Sequence, residues 1–162
     1  MMILDALILQ IKLFLSEDME ISDIEVIETH DSTNLELDRL ELRDYTSMIA
    51  TGGKLNAMIV ISYDMKLLNH LVEVFMDGEE VSDEEKQEII DSVSGETINT
   101  IMGLALPQFP GRGKGVTITP PITVNDATNI KKYKNSRIIS ATIQTEYGCL
   151  SISALGSEDS IK

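Results

Sequence analysis

The sequence contains few aromatic residues and almost no cysteine. Its 162 residues include three phenylalanines, four tyrosines and no tryptophan, so the core must be aliphatic, with eight methionines available to fill it. The single cysteine, Cys149, excludes an internal disulfide and therefore a secreted fold held together by disulfides. The length and the 43% of hydrophobic residues are typical of one globular domain, so we expect a single domain over residues 1–162.

Basic residues are also scarce. Lysine and arginine total 13 against 27 aspartates and glutamates, which gives a formal net charge of −14 at pH 7. A surface this acidic repels nucleic acid and anionic lipid, and it favours partners with basic faces. We therefore expect no nucleic acid among the partners of this protein.

Long hydrophobic runs are absent. No apolar run reaches the roughly 18 residues that a membrane-spanning helix needs. The apolar segment 1–15 has no basic region at its start, carries Asp5 and lacks a small-residue cleavage site, so it does not fit a signal peptide. We expect a cytoplasmic protein with no membrane partner.

Two motifs that would indicate a bound metal or nucleotide are incomplete. His30 and His70 do not have the spacing of metal ligands, so we expect no metal site. The segment Gly111–Gly115 contains a lysine but lacks the Walker spacing, and a predicted strand follows it instead of a helix. We interpret this segment as a loop able to touch a partner.

The hydrophobic periodicity predicts one helix and three strands in the first part of the chain. Apolar residues at helical spacing indicate a helix over about residues 2–16, and alternating residues indicate a strand over 21–29. Two more strands, 46–51 and 56–62, meet at a pair of glycines typical of a hairpin turn. The polar residues 31–44 fit no element.

Two helices are predicted in the middle of the chain. Asp64 is a candidate cap for a helix that ends near Met76, before an Asp-Gly pair. Ser82 and Glu85 form a capping box at the start of the longest helix, which Pro107 ends.

The last part of the chain is predicted to form strands. Residues 116–124 are extended and contain Pro120-Pro121, which indicates an edge strand or an interrupted one. Residues 138–145 and 149–154 have the pattern of a closing hairpin. Runs of strands separated by a run of helices predict an α+β fold, in which a mostly antiparallel sheet of about six strands packs with three helices.

The longest predicted helix has an apolar face and a separate polar stripe. At 100° per residue the apolar face spans an arc of about 120°, formed by Ile89, Ile90, Val93, Thr97, Ile101 and Leu104. A separate arc of about 60° holds the polar stripe, which consists of Ser92, Glu96, Asn99 and Gly103. Glu96 and Asn99 are three residues apart, so their side chains lie side by side.

A solvated face is the alternative interpretation of this stripe, but the small residues count against it, because such a face would normally carry Glu, Lys and Arg. Gly95 and Gly103 each cost about 1 kcal/mol in a helix relative to alanine. We interpret Ser92, Gly95 and Gly103 as partner-binding positions that let another surface approach closely. The carboxylate of Glu96 can pair with a cation, and the carboxamide of Asn99 can hold a water molecule in a fixed orientation.

The segment Ser92-Val-Ser-Gly-Glu96-Thr-Ile-Asn99 resembles the [Asp/Ser]-x3-Glu-x2-Asn signature of the CheC/CheX/FliY phosphatases of bacterial chemotaxis. Its surroundings are similar to that family as well, over residues 46–154. They include a strand at 57–62, a short helix ending in Phe75-Met-Asp-Gly78, and a segment with Pro-Pro at 118–124. The first helix has no second copy of the signature, so the chain resembles the single-motif CheX type.

This resemblance implies a phosphatase that removes the phosphoryl group from phospho-aspartate on a CheY-like response regulator. The catalytic residues would be Asn99, which orients the attacking water, and Glu96, which pairs with the lysine of the regulator. The Mg²⁺ would belong to the regulator, so the chain would need no cofactor of its own, and a homodimer is implied. An alternative stays open, namely a non-catalytic receiver-binding or flagellar-switch module of the same fold.

Overall fold

The structure is a computed structural model that describes residues 2–32 and 38–161. The helices are α1 (Ile3–Leu13), α2 (Met65–Met76) and α3 (Lys86–Ala105). The strands are β1 (Ile24–Asp31), β2 (Arg39–Glu41), β3 (Tyr45–Gly53), β4 (Ala57–Tyr63), β5 (Val116–Ile118), β6 (Ile122–Asn125), β7 (Asn129–Lys131), β8 (Ser136–Thr145) and β9 (Gly148–Ser157). A π-helical turn (Phe14–Asp18) follows α1, and two 3₁₀ turns (Leu106–Gln108 and Pro110–Gly113) follow α3.

The main sheet has seven strands in the order β1-β8-β9-β4-β3-β5, and β6 pairs with β3 on the same edge as β5. All of these pairs are antiparallel. The predicted α+β fold with three helices and a mostly antiparallel sheet is therefore confirmed. The sheet has one strand more than the six predicted, because Pro120-Pro121 divides the edge segment into β5 and β6.

The main core lies between the three helices and one face of the sheet. It is aliphatic, as the composition predicts, and Leu7, Ile61 and Leu71 are examples of side chains with no exposed surface or almost none. Burying a side chain of this kind stabilises the fold by roughly 1.5–3 kcal/mol. The opposite face of the sheet carries a smaller apolar cluster, formed by Leu40, Val60, Ile138 and Leu155.

A two-stranded ribbon of β2 and β7 contributes to that smaller cluster through Leu40 and Ile130. Neither strand was predicted from the sequence, because three residues are too few to show an alternating pattern. Within the unassigned polar segment 31–44, β2 is formed by Arg39–Glu41. Residues 33–37 of that segment lie outside the described residues.

Asp64 stands before α2 but its side chain does not cap the helix. Its carboxylate accepts hydrogen bonds from the Cys149 N–H at 2.8 Å and from the Arg43 guanidinium at 3.0 Å. The Met65 N–H at the start of α2 donates instead to Asp44 Oδ2 at 2.9 Å. The predicted cap is wrong because partners distant in sequence occupy the carboxylate. The predicted end of α2 is confirmed at Asp77, which has a left-handed φ of 49°.

Helix α3 begins at Lys86, four residues after the predicted start at Ser82. Ser82 Oγ accepts a hydrogen bond from the Glu85 N–H at 3.3 Å, as in a capping box. Residues 83–85 nevertheless form a separate exposed turn. Because packing supplies most of the stability of a helix, regular structure begins only where Ile89 and Ile90 approach the core.

Candidate functional site

Helix α3 carries the predicted site and is buried over most of its circumference. It packs on β3 and β6 and also contacts α1 and α2. At 100° per residue its buried residues span an arc of about 200°, and they are Ile90, Val93, Ser94, Gly95, Thr97, Ile98, Ile101, Met102 and Ala105. The remaining arc of about 160° is left to meet a partner.

The core face predicted for this helix is rotated relative to the buried arc. Leu104 was placed in the core and is 51% exposed, so that assignment is wrong. The middle of the buried arc lies at Ser94, between Ile101 and Ala105, and the prediction left out Ser94 and Ala105. The sheet and the neighbouring helices cover α3 from two directions, so the buried arc is wider than its apolar pattern. Four predicted core residues are buried, namely Ile90, Val93, Thr97 and Ile101.

The polar stripe is exposed at the predicted spacing. Ser92, Glu96, Asn99 and Gly103 all lie on the surface. Within the described part of the chain, the side chains of Ser92, Glu96 and Asn99 form no hydrogen bond and no ion pair. The fold does not use these polar groups, so their hydrogen-bonding capacity is available to a partner. These side chains project from the outside of a helix and do not line a cleft of this chain.

The two glycines of α3 have different surroundings. A Cβ atom on Gly103 would meet no atom within 4 Å, so this end of the stripe is open. Gly95 is buried, and a Cβ atom there would lie 3.3 Å from Cγ of Pro121. The close approach inferred at Gly95 is therefore made by Pro121 of the same chain. Gly95 does not belong to the partner-binding surface, in contrast to the interpretation from sequence.

Beneath the stripe α3 rests on a group of buried hydroxyls. Thr97 Oγ1 donates a hydrogen bond to the Val93 carbonyl at 2.7 Å, and Tyr63 of β4 has no exposed surface. Burial raises the pKa of the Tyr63 hydroxyl well above its usual range, and the hydroxyls of Ser47 and Thr97 lower it by less. Tyr63 is therefore neutral at physiological pH and supplies no charge to the site.

Both histidines are engaged away from the stripe. His30 Nε2 lies 2.7 Å from Glu28 Oε1 on β1, and the His70 ring stacks on Tyr147 with a centroid distance of 3.7 Å. Neither imidazole is placed to take a proton from Ser92. Over the described ranges, no three His, Cys, Asp or Glu side chains are grouped so that they could hold a metal ion.

Two other sequence features have a structural explanation. The glycine-rich loop contains the left-handed residues Gly111, Arg112 and Gly113, and the short strand β5 follows it, so no helix N-terminus is present to hold a phosphate. Cys149 lies in β9, where its N–H donates to Asp64.

As for the membrane, none of the helices in the described chain is long and apolar enough to cross one.

Comparison with known proteins identifies the family. The model of the chemotaxis phosphatase CheX family matches residues 45–144, which include α3 and the Pro120-Pro121 segment. No curated protein matches the chain significantly.

Several solved structures share the fold at low sequence identity. A chemotaxis protein CheX from Desulfovibrio desulfuricans has a TM-score of 0.78 at 17% identity, and the alignment covers 95% of this chain and 99% of that one. The CheX-CheY-BeF3-Mg²⁺ complex from Borrelia burgdorferi gives 0.71 at 15%, with coverages of 94% and 96%. Thermotoga maritima FliY gives 0.58 at 19%, with coverages of 96% and 85%.

The solved structures show that the fold is shared. The family model, in contrast, matches the sequence segment that contains the polar stripe. The matched segment 45–144 is more than half of the 162 residues and contains both Glu96 and Asn99. The resemblance inferred from the signature is thereby confirmed, and the chain belongs to the CheX family of chemotaxis phosphatases.

Proposed function

We propose that this protein hydrolyses the phospho-aspartate of a CheY-like receiver domain in chemotaxis signalling. The observation that carries the proposal is the exposed Glu96–Asn99 pair, which has no partner among the described residues of a chain in the CheX family. The Borrelia burgdorferi complex supports the choice of partner, because it contains a CheX of this fold together with CheY.

Asn99 is proposed to orient the attacking water. Its carboxamide can accept a hydrogen bond from the water through Oδ1 and donate one through Nδ2. The water oxygen attacks phosphorus, the bond from phosphorus to the aspartate oxygen breaks, and the carboxylate leaves with the electron pair. Both hydrogens of the water end on the released inorganic phosphate, which leaves as H₂PO₄⁻. A glutamine plays the same water-positioning role in GTPases, and orientation is the source of the acceleration.

Glu96 is proposed to pair with the lysine of the receiver. Its carboxylate is exposed one turn from Asn99 and forms no ion pair among the described residues, so its charge is available. Ser92 and Gly103 provide clearance on either side. The Mg²⁺ is held by the receiver, and this chain binds no metal of its own in the proposed mechanism.

Covalent catalysis by this chain has less support. Ser92 is the only hydroxyl on the stripe, and activating it requires a neighbouring base. His30 Nε2 is paired with Glu28 on β1, and His70 Nε2 is hydrogen-bonded to the Met19 carbonyl at 3.1 Å. The site therefore fits the positioning of a water better than the formation of a phosphoserine.

The test measures loss of phosphate from purified receivers of the source organism, with and without this protein. We expect wild-type protein to accelerate hydrolysis and Asn99→Ala to lower the acceleration by about a hundredfold or more, with binding largely intact. Glu96→Gln should weaken binding by roughly tenfold, because one charge pair is lost. Binding is measured with receiver carrying beryllium fluoride and Mg²⁺.

Matched controls lie on α2. Asn69→Ala removes a helical asparagine and Glu73→Gln removes an exposed helical carboxylate, and neither should change the rate or the affinity. An unchanged hydrolysis rate with wild-type protein that still binds the receiver would overturn the phosphatase proposal. It would favour the non-catalytic receiver-binding module instead.

We also propose that the protein is a homodimer acting in the cytoplasm, where a CheY-like receiver would meet it. The support for both statements is membership of the CheX family.

A further inference from the structure

Pro121 lies against Gly95 at the border of the polar stripe and leaves little space for a side chain there. An ideal Cβ atom on Gly95 would lie 3.3 Å from Pro121 Cγ and 3.9 Å from Pro121 Cβ. Ordinary van der Waals contacts of such an atom begin at about 3.4 Å. Position 95 therefore has no room for a methyl group unless α3 or the strand moves by a few tenths of an ångström.

This contact lies directly beside the residues of the proposed site. Gly95 precedes Glu96 in the chain, and Asn99 lies one turn further along and about 40° around the helix. Pro121 is half-buried and lies against Gly95, so its ring borders the stripe on the β6 side. A displacement at Gly95 is passed to the turn that carries Glu96 and Asn99, because a helical turn moves as a unit.

Pro121 is a rigid support. Its ring fixes φ, and it immediately precedes β6, whose Ile122 and Val124 are held in register opposite Met48 and Thr46 of β3. The proline ring therefore cannot rotate away from α3 as a flexible side chain would. The helix meets a surface whose position is set by the sheet.

We propose that Pro121, which lies against Gly95, is a positioning residue. It fixes the distance of the Glu96–Asn99 turn from the edge of the sheet and the rotation of that turn about the helix axis. Glycine suits position 95 because a Cβ atom there would displace α3 or Pro121 by a few tenths of an ångström. The proposal rests on the proposed phosphatase function. It adds that the orientation of the Asn99 side chain depends on Pro121, which immediately precedes β6 and does not touch the phosphoryl group.

The experiment is a double-mutant cycle of Gly95→Ala and Pro121→Ala, read by steady-state kinetics on a phosphorylated receiver. A misplacement of about 1 Å costs up to a hundredfold in rate, so a shift of a few tenths should lower kcat about five- to tenfold. Pro121→Ala opens a gap and should also lower kcat. The double variant refills the gap and should return kcat to within about twofold of wild type. KM and affinity for the beryllium fluoride form should change little in all three variants.

Stability supplies a second readout that does not depend on activity. Gly103→Ala should raise the urea midpoint through helix propensity, because that position is open. Gly95→Ala should not raise the urea midpoint, because the new methyl group meets Pro121. In the double variant with Pro121→Ala, the alanine at position 95 should raise the midpoint relative to Pro121→Ala alone.

The outcomes separate the two proposals. If wild-type protein does not accelerate hydrolysis, the proposed function fails. The urea midpoints still test the contact between Pro121 and Gly95 in that case, because they show whether the two substitutions are coupled. If wild-type protein is active and Gly95→Ala keeps full kcat, or the double variant shows no rescue, the positioning role is overturned. A loss confined to KM would also overturn it, because it would place Gly95 in binding.

Discussion

At the scale of single residues, the hydroxyl of Tyr63 is the most exceptional polar group in the core. The hydroxyls of Tyr63 and Ser47 are both buried, and within the described chain neither has a hydrogen-bond partner of good geometry. An unpaired buried hydroxyl costs about 1–3 kcal/mol. The fold tolerates this cost directly beneath the helix that carries the stripe, where Thr97 uses its own hydroxyl to bond Val93.

We therefore expect Tyr63→Phe to be neutral or stabilising at pH 7. Burial raises the pKa of Tyr63 in the folded state above the value of about 10 in the unfolded chain. Above pH 10 the unfolded tyrosine loses its proton while the folded one keeps it, so the free energy of unfolding falls by about 1.4 kcal/mol per pH unit. Urea unfolding between pH 9 and 11 should show this decline in wild type and a smaller one in Tyr63→Phe. Equal slopes, or a strong destabilisation at pH 7, would contradict the expectation.

At the scale of secondary-structure elements, the start of α2 depends on a residue from a different element. Asp44 precedes β3, and its carboxylate accepts the Met65 N–H. We expect Asp44→Ala to lower the free energy of unfolding by about 1 kcal/mol, since an N-terminal amide of the helix loses its acceptor. Asp44→Asn keeps an oxygen acceptor and should recover most of the loss. Urea denaturation measures both, and equal stabilities of wild type and Asp44→Ala would show that the cap is unimportant.

The elements that the sequence predicted correctly are those with a strong local signal. The hairpin of β8 and β9 has two long apolar runs around a glycine, and the end of α2 has an Asp-Gly pair. The polar stripe was predictable because its four residues recur at the helical period. Each of these signals is contained within about one element and does not depend on the rest of the fold.

The features that the sequence did not predict depend on contacts between distant parts of the chain. The ribbon of β2 and β7 joins segments about 90 residues apart, and its strands are stable only as a pair. The exposure of Leu104 depends on which layers surround α3. Likewise the role of Gly95 becomes visible only when Pro121 is placed against it. A helical wheel shows which residues share a face but not which neighbour covers it.

At the scale of the whole molecule, the main feature is the excess of acidic over basic residues. The net charge is −14, and among the described residues Asp31, Asp38 and Asp64 form ion pairs with arginine, while Glu28 contacts His30, which carries a charge only when protonated. Most carboxylates therefore repel one another without a basic neighbour. The same charge favours a partner that presents a lysine, which fits the role proposed for Glu96.

This charge predicts how the proposed homodimer responds to salt. Bringing together two chains of the same negative charge costs electrostatic energy, and salt reduces that cost because the Debye length falls from about 30 Å at 0.01 M to about 10 Å at 0.1 M. Sedimentation velocity should show a mass that moves from 17.9 kDa towards twice that value as NaCl is raised from about 10 to 300 mM. A monomer at every salt concentration would rule out the dimer. A dimer that weakens with salt would instead indicate an interface in which the few basic residues meet carboxylates of the partner copy.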